Sequence, residues 1–167
     1  MKKMTENAMH DAFAGESMAH MKYLAFSKIA EKEGYQSIAR LFKAIAYAEQ
    51  VHAQNHARNL GLIKTTVDNL QTGIDGENFE IEEMYPAYDA IAKLQNEKGA
   101  QKSIYFAIEA EKIHSEMYKE AKKNVEAGKD PDYKEIYICD ICGYTHIGEF
   151  EGNCPICNAT KEKFTKF

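Results

Sequence analysis

Apolar residues recur at three- and four-residue spacing along most of the first 126 positions, with charged residues between them. This is the period of an amphipathic helix. The pattern therefore predicts four helices, at residues 5–31, 36–60, 77–95 and 99–126. Gly34 suits the C-cap that ends the first of them. Residues 61–76 carry Thr, Asp, Asn and Gly turn formers, and their length favours a crossover connection that spans a helix bundle.

A short motif, Ala-Glu-x-(Val/Ile)-His, occurs twice within the predicted helices, at residues 48–52 and 110–114. Residues three apart lie on one helical face, so each copy aims a carboxylate and an imidazole in the same direction. A single Glu-x-x-His is more often a solvated surface pair. Two such helices, with one Glu from each of two further helices, make a carboxylate-bridged di-metal site in four-helix bundles.

The two remaining helices offer acidic residues at suitable depths. In an antiparallel helix pair, residues equidistant from the turn lie at one level. Glu16 interrupts the apolar face of the first helix, and the midpoint between Glu16 and Glu49 falls at the predicted break. The same count places Glu83 level with Glu111, with Glu80 close by. The second helix pair thus supplies two candidate carboxylates where the minimal pattern needs one.

All four cysteines follow residue 138, in the two pairs Cys139-x-x-Cys142 and Cys154-x-x-Cys157. Four thiolates at this spacing can surround one tetrahedral metal ion. Iron and zinc both accept four sulfur ligands, so the spacing leaves a redox and a structural interpretation open. A Gly- and Pro-containing linker precedes the pairs, which predicts two domains, a helical one at 1–130 and a Cys-rich one at 131–167.

Composition narrows the function classes. The net charge of −5 disfavours nucleic-acid binding. No apolar run reaches the roughly 18 residues that a membrane helix needs. The N-terminus lacks the apolar segment of a signal peptide. We expect a cytoplasmic protein with neither a nucleic-acid nor a membrane partner.

Together these motifs resemble rubrerythrin over essentially the whole chain. The points of match are Ala14-Gly15-Glu16-Ser17, the two Glu-x-x-His motifs, the run from Gly76 to Pro86 with its repeated Glu, and the rubredoxin-like Cys-x-x-Cys-Gly-Tyr and Cys-Pro-x-Cys pairs. The resemblance implies a mostly α fold, a ferritin-like four-helix bundle followed by a small rubredoxin-like β module. It also implies a non-haem di-iron peroxidase that reduces hydrogen peroxide to water in oxidative-stress protection.

The resemblance further implies a role for each site residue. The ligands of the two bundle irons would be Glu16, Glu49, His52, Glu80, Glu83, Glu111 and His114. Glu49 and Glu111 would bridge the irons, which carry an oxo or hydroxo bridge when oxidised. His52 would be a switching ligand, approached by one iron on reduction as it leaves Glu83. Tyr23 and Tyr88 match tyrosines that hydrogen-bond the ligand carboxylates.

The four cysteines would hold a third iron, which zinc can replace in recombinant material. Electrons would come from a redox protein, either a rubredoxin or an NAD(P)H-dependent reductase. The last predicted helix continues about 18 Å beyond its ligands. Transfer within one chain therefore looks long, and the resemblance implies a homodimer or larger assembly with transfer between subunits. Asn158 replaces the usual Gly after the last Cys, but Asn tolerates the left-handed conformation.

Two other functions stay open on the sequence. One is a ferroxidase or iron-handling protein of the ferritin-like type, although storage has no need of a sulfur-ligated electron inlet. The other is a non-enzymatic metal-binding scaffold with structural zinc. His20 and His56 lie one turn from Glu16 and His52, and we expect solvated or core-edge roles for both.

Overall fold

The computed structural model describes all 167 residues and divides the chain into two compact units, Met1–Lys64 and Thr65–Phe167. The first unit holds helices α1 (Lys3–Lys32) and α2 (Gln36–Asn59). The helices of the second unit are α3 (Thr66–Phe79), a π-helical turn (Glu80–Met84), α4 (Tyr85–Leu94) and α5 (Lys98–Glu126). The predicted mostly α class is confirmed. None of the helices combines the length and the apolar character that a bilayer crossing requires.

Small residues line the contact between α1 and α2. Ala39, Ala46 and Ala53 of α2 are buried at intervals of seven residues. Ser27 of α1 is also buried and donates a hydrogen bond of 2.9 Å to the Ala39 carbonyl oxygen. Because these side chains are short, the helices approach closely. The predicted break between them is confirmed at Gly34, whose φ of +88° is a left-handed conformation that glycine adopts without a Cβ penalty.

Residues 66–76 of the connection predicted at 61–76 belong to helix α3, so the expectation that its Thr, Asp, Asn and Gly residues form turns was wrong for that part. Thr65 caps α3: its Oγ1 accepts a hydrogen bond of 3.2 Å from the Asp68 N–H and lies 2.7 Å from an Asp68 carboxylate oxygen. Gly73 lies inside the helix, where an added Cβ would stand 3.1 Å from the Tyr118 ring. Residues that resemble turn formers in sequence act here as a helix cap and as a site of close packing.

The predicted helix at 77–95 consists of the end of α3, the π-helical turn and α4. In the turn, the Tyr85 N–H donates to the Glu80 carbonyl oxygen, five residues back. A π turn holds one residue more than an α turn. Pro86 follows immediately, in the first turn of α4, where a missing N–H is tolerated.

The C-terminal strands form a small antiparallel sheet in the order β2-β1-β3. Its strands are β1 (Ile136–Cys139), β2 (Thr145–Ile147) and β3 (Phe164–Lys166). Aromatic rings pack beside it, and those of Phe150 and Phe164 have centroids 4.3 Å apart. Asn158 has a φ of +60°, so the expected left-handed conformation after the last Cys is confirmed. The predicted β module is confirmed with it.

Candidate metal centre

The first unit contains a triad of metal-ligating side chains, Glu16 of α1 with Glu49 and His52 of α2. One ligand atom of each lies within 4.8 Å of the others. His52 Nδ1 is 3.0 Å from a Glu49 carboxylate oxygen and 3.7 Å from one of Glu16. The predicted level of Glu16 with Glu49 is therefore confirmed. The His52 side chain is 53% exposed, against 17% for Glu49.

The second unit contains a matching triad of Glu77, Glu111 and His114, again with ligand atoms within 4.8 Å of one another. His114 Nδ1 lies 2.6 Å from a Glu111 carboxylate oxygen. This hydrogen bond raises the pKa of His114 and lowers that of Glu111. Burial, reinforced by the Glu111 carboxylate, raises the pKa of Glu77 to about 7. Such a half-buried cluster of negative charge suits a cation.

Glu77 is the member of this triad that the sequence analysis missed in favour of Glu80 and Glu83. Burial, and after it the negative charge of Glu111, raises the pKa of Glu80. Glu83 does not belong to the triad. The π turn adds one residue between the break and Glu77, whereas Glu77 precedes Glu83 by six residues, so the turn accounts for only part of the difference. Glu80 and Glu83 stay predicted ligands.

Two tyrosines lie among these carboxylates, Tyr85 and Tyr118. Burial and the charges of Glu80, Glu111 and Glu77 raise the pKa of Tyr85, so its phenol keeps its proton. Burial and the charges of Glu77 and Glu111 raise the pKa of Tyr118 in the same way. Tyr88 lies further along α4, is half exposed and packs edge-on against the Tyr85 ring at 6.4 Å. Its predicted role as a carboxylate partner stays a prediction.

The other predicted tyrosine, Tyr23, is half-buried between Phe26 and Phe42, with ring centroids about 6 Å from each. His20, which we expected at the edge of the core, is placed there by a 2.7 Å contact between its Nδ1 and the Ala46 carbonyl oxygen. His56 is half-buried one turn after His52.

The four cysteines form a third group of metal-ligating side chains, in the Cys-rich module. Their sulfur atoms lie within 4.8 Å of one another, and all four thiols are free. Burial disfavours the Cys154 thiolate, but the N–H groups of Cys157 and Ile156 outweigh it and lower the pKa of Cys154. Burial raises the pKa of Cys142. The donor set and the inward N–H groups fit a tetrahedral, thiolate-binding metal such as iron or zinc.

The Cys-rich module lies against α5 of its own chain, at the second triad. Thr145 Oγ1 is 2.7 Å from His114 Nε2 and donates a hydrogen bond of 3.2 Å to the Gly143 carbonyl oxygen. A Cβ on Gly143 would stand 3.8 Å from that of Ala110. The expectation that the length of the last helix keeps the module far from its own ligands was wrong, because the chain after α5 turns back along it.

Comparison with known proteins gives one consistent result. The sequence matches the family model described as Rubrerythrin over residues 7–122, and the one described as Rubrerythrin, rubredoxin-like domain, over residues 137–165. It is 42% identical to Rubrerythrin-2 of Clostridium acetobutylicum, covering 98% of this chain and 97% of that protein. It is 40% identical to Nigerythrin of Nitratidesulfovibrio vulgaris, covering 93% and 83%.

Among solved structures, a mixed-valence state of nigerythrin is similar, with a TM-score of 0.58 and 35% identity. The match covers 98% of this chain and 86% of that one. A fully reduced, all-ferrous nigerythrin structure matches with the same TM-score and 34% identity. The likeness therefore extends over both the helices and the Cys-rich module.

Proposed function

Because the chain belongs to the rubrerythrin family, we propose that it is a non-haem di-iron peroxidase that reduces hydrogen peroxide to water and protects against oxidative stress. The observation that carries the proposal is that the Glu77, Glu111 and His114 triad lies beside the four-thiol module, whose Thr145 is hydrogen-bonded to His114. An enzyme that transfers electrons to peroxide needs a site where peroxide is reduced and a second site through which electrons return to the first.

The triads and the four cysteines fit the iron sites of this family. We propose that the bundle irons are held by Glu16, Glu49, His52, Glu80, Glu83, Glu111 and His114, with Glu77 as a further candidate. Carboxylates are hard ligands that suit iron in both oxidation states. Two ferrous ions held by these residues would supply the two electrons that the reduction of one peroxide molecule requires.

The protein's own residues would orient this site. Tyr85 keeps its phenolic proton, because burial and three nearby carboxylates raise its pKa, and it can donate that proton in a hydrogen bond to a ligand carboxylate. His114 is held at both ring nitrogens, by Glu111 and by Thr145. His52 has a largely exposed side chain. This freedom supports the predicted role of His52 as the ligand that changes with oxidation state.

Electrons would enter through the four-thiol site from a redox protein, either a rubredoxin or an NAD(P)H-dependent reductase. Cys157 is the least buried of the four cysteines. The neighbouring knuckle presents Ile141, whose side chain is exposed. An apolar contact beside a partly accessible sulfur ligand is a suitable docking point for a donor protein.

We propose that the protein works as a homodimer or a larger assembly. The observation behind this is a set of large apolar side chains left exposed on α1 and α2, namely Met18, Met21, Ile38, Leu41 and Ile45. Apolar surface of this kind usually marks a contact with another protein, and the second copy is the partner that the family resemblance implies. Sedimentation equilibrium tests this directly, and a monomer at micromolar concentration would contradict it.

Stopped-flow oxidation of the fully reduced protein tests the peroxidase. We expect hydrogen peroxide to oxidise the irons much faster than dioxygen at equal concentration, with two electrons consumed per peroxide. The variant Cys142→Ser is a useful control, since it should retain the first oxidation but lose steady-state turnover with an external donor. Faster reaction with dioxygen, together with a cage-sized assembly and a mineral core, would instead support the ferroxidase alternative.

Visible absorption separates the zinc scaffold from both enzymes. A four-thiol site that holds ferric iron is coloured, whereas one that holds zinc is colourless. Metal analysis of protein produced in iron-supplemented medium completes the test, because zinc can occupy the site in recombinant material.

A further inference from the structure

Thr145 lies where the four-thiol module meets the second triad. It is the first residue of β2, pairs with Ile138 of β1, and is only 8% exposed. Its hydroxyl oxygen is 2.7 Å from His114 Nε2 and 3.2 Å from the Gly143 carbonyl oxygen. A buried hydroxyl with two polar neighbours must divide its donor and acceptor capacity between them.

The direction of this hydrogen-bond chain follows once a metal ion occupies Nδ1. The Gly143 carbonyl can only accept, so the Thr145 proton goes to it. Without metal, His114 Nδ1–H donates to the Glu111 carboxylate. A metal ion on Nδ1 would displace that proton, so the single proton of the neutral imidazole would lie on Nε2, from which the Thr145 oxygen accepts. Nδ1 is the nitrogen that faces Glu111, at 2.6 Å, on the side of the triad.

We propose that Thr145 is a positioning residue for the second triad, holding His114 in the tautomer and ring orientation that present Nδ1 to a metal ion. This rests on the proposed function only in that the triad binds metal. Ligating histidines commonly donate their second N–H to such a partner, and loss of the partner typically costs 10- to 100-fold in metal affinity. The partner here comes from the electron-transfer module, so one residue joins the two metal sites.

The experiment compares the full-length protein with Thr145→Val, which keeps the shape but lacks the hydroxyl, and with Thr145→Ser, which keeps the hydroxyl. Thr165→Val is the matched control, because Thr165 is a threonine of the same sheet whose hydroxyl bonds Asp140 instead. Zn²⁺ is titrated by calorimetry into protein with iron in the four-thiol site and empty helical sites. We expect Thr145→Val to bind Zn²⁺ about 10-fold more weakly or worse. Thr145→Ser and Thr165→Val should stay close to the parent.

A second measurement reports the tautomer itself. In ¹⁵N-labelled Zn²⁺-loaded protein, His114 should show a slowly exchanging Nε2 proton in the parent and in Thr145→Ser. That signal should be lost in Thr145→Val. Unchanged Zn²⁺ affinity together with an unchanged Nε2 signal in Thr145→Val would overturn the proposal.

Two further outcomes are distinguishable. If the parent takes up no Zn²⁺ in its helical sites, the proposed function fails. The positioning role is then read from the orientation of the His114 ring in metal-free protein, by nuclear Overhauser contacts between the ring protons and residue 145. A ring that is fixed in the parent and in Thr145→Ser but mobile in Thr145→Val supports the role, and a ring equally fixed in all three overturns it. If Thr145→Val loses the ferric-thiolate colour and hence its module, Thr145→Ala replaces it in both measurements.

Discussion

The two triads are built from the same sequence motif but are held differently. Both consist of two carboxylates and an imidazole, with the His Nδ1 directed at the Glu three residues earlier. His52 is 53% exposed and bonds within its own helix. His114 is 25% exposed and is bonded at its other nitrogen by Thr145 of the Cys-rich module. A Glu-x-x-His motif therefore specifies which groups point together, whereas the neighbouring segment decides how firmly they are held.

This difference has a functional meaning. A histidine fixed at both nitrogens keeps one position, while a histidine free at its outer edge can approach or leave a metal. Under the proposed function, the second triad is the constant side of the site and the first triad is the side that changes with oxidation state. The following variants test how far that contrast goes.

The largest effect is expected from removing one of the two carboxylates that are proposed to bridge the irons. Glu49→Gln and Glu111→Gln are the same change in the two triads, and each removes a negative charge without altering shape. If the triads serve one di-iron site, either variant should lose both bundle irons and keep the four-thiol iron. Metal analysis and visible absorption measure the two losses separately.

The control for that experiment is Glu116→Gln, on α5 but with a largely exposed side chain paired to Lys119. It should keep all its iron. Loss of only one iron from each bridging variant would mean that the triads bind metal independently, and the di-iron assignment would then be wrong.

A smaller effect separates the two histidines. In metal-free protein, His114→Ala should lower the free energy of unfolding by about 1–3 kcal/mol, because Glu111 and Thr145 both lose a partly buried partner. His52→Ala should cost less than about 1 kcal/mol, since its ion pairs are largely solvated. Urea unfolding followed by circular dichroism gives both values. Equal costs would mean that His52 and His114 are held equally firmly.

The smallest effect concerns the packing behind the second triad. Gly73→Ala would place a Cβ 3.1 Å from the Tyr118 ring, whereas Gly76→Ala meets nothing within 4 Å. Both positions are in α3, where Ala is favoured over Gly by about 1 kcal/mol. We expect Gly76→Ala to raise the melting temperature by a few degrees, and Gly73→Ala to lower it or leave it unchanged. A gain in both variants would show that the Tyr118 ring moves freely.

Much of the fold and of the candidate sites could be predicted from the sequence, because the residues concerned lie within one helix, one helix pair or one pair of Cys turns. The paired motifs put Glu49 with His52 and Glu111 with His114 through helical spacing alone. The two Cys-x-x-Cys pairs predicted that four sulfurs lie together. Counting equal numbers of residues from the turn predicted that Glu16 lies level with Glu49. Each of these inferences needs only the regular geometry of one element or one hairpin.

The misses share a different physical origin. Glu77 and Tyr85 lie on either side of an irregular turn, Glu80–Met84, whose hydrogen bond between residues five apart the 3.6-residue period does not predict. The segment 61–76 was misread because Thr65 acts as a cap and Gly73 as a packing site, roles that depend on Asp68 and Tyr118. Thr145 belongs to none of the sequence motifs that predicted the other site residues. Its position follows from the module folding back on α5, and helix periodicity does not encode that contact.

The turn at Glu80–Met84 has one more consequence. In a regular α-helix each residue advances by 100°, so a side chain five positions on points well away from the first. Here the bond from the Tyr85 N–H to the Glu80 carbonyl oxygen brings that fifth residue almost full circle, above the carboxylates. The π turn therefore changes the direction in which every later side chain of the helix points. Removing a single residue from it would leave the composition nearly unchanged, yet it would swing the phenol and all of α4 around the helix axis.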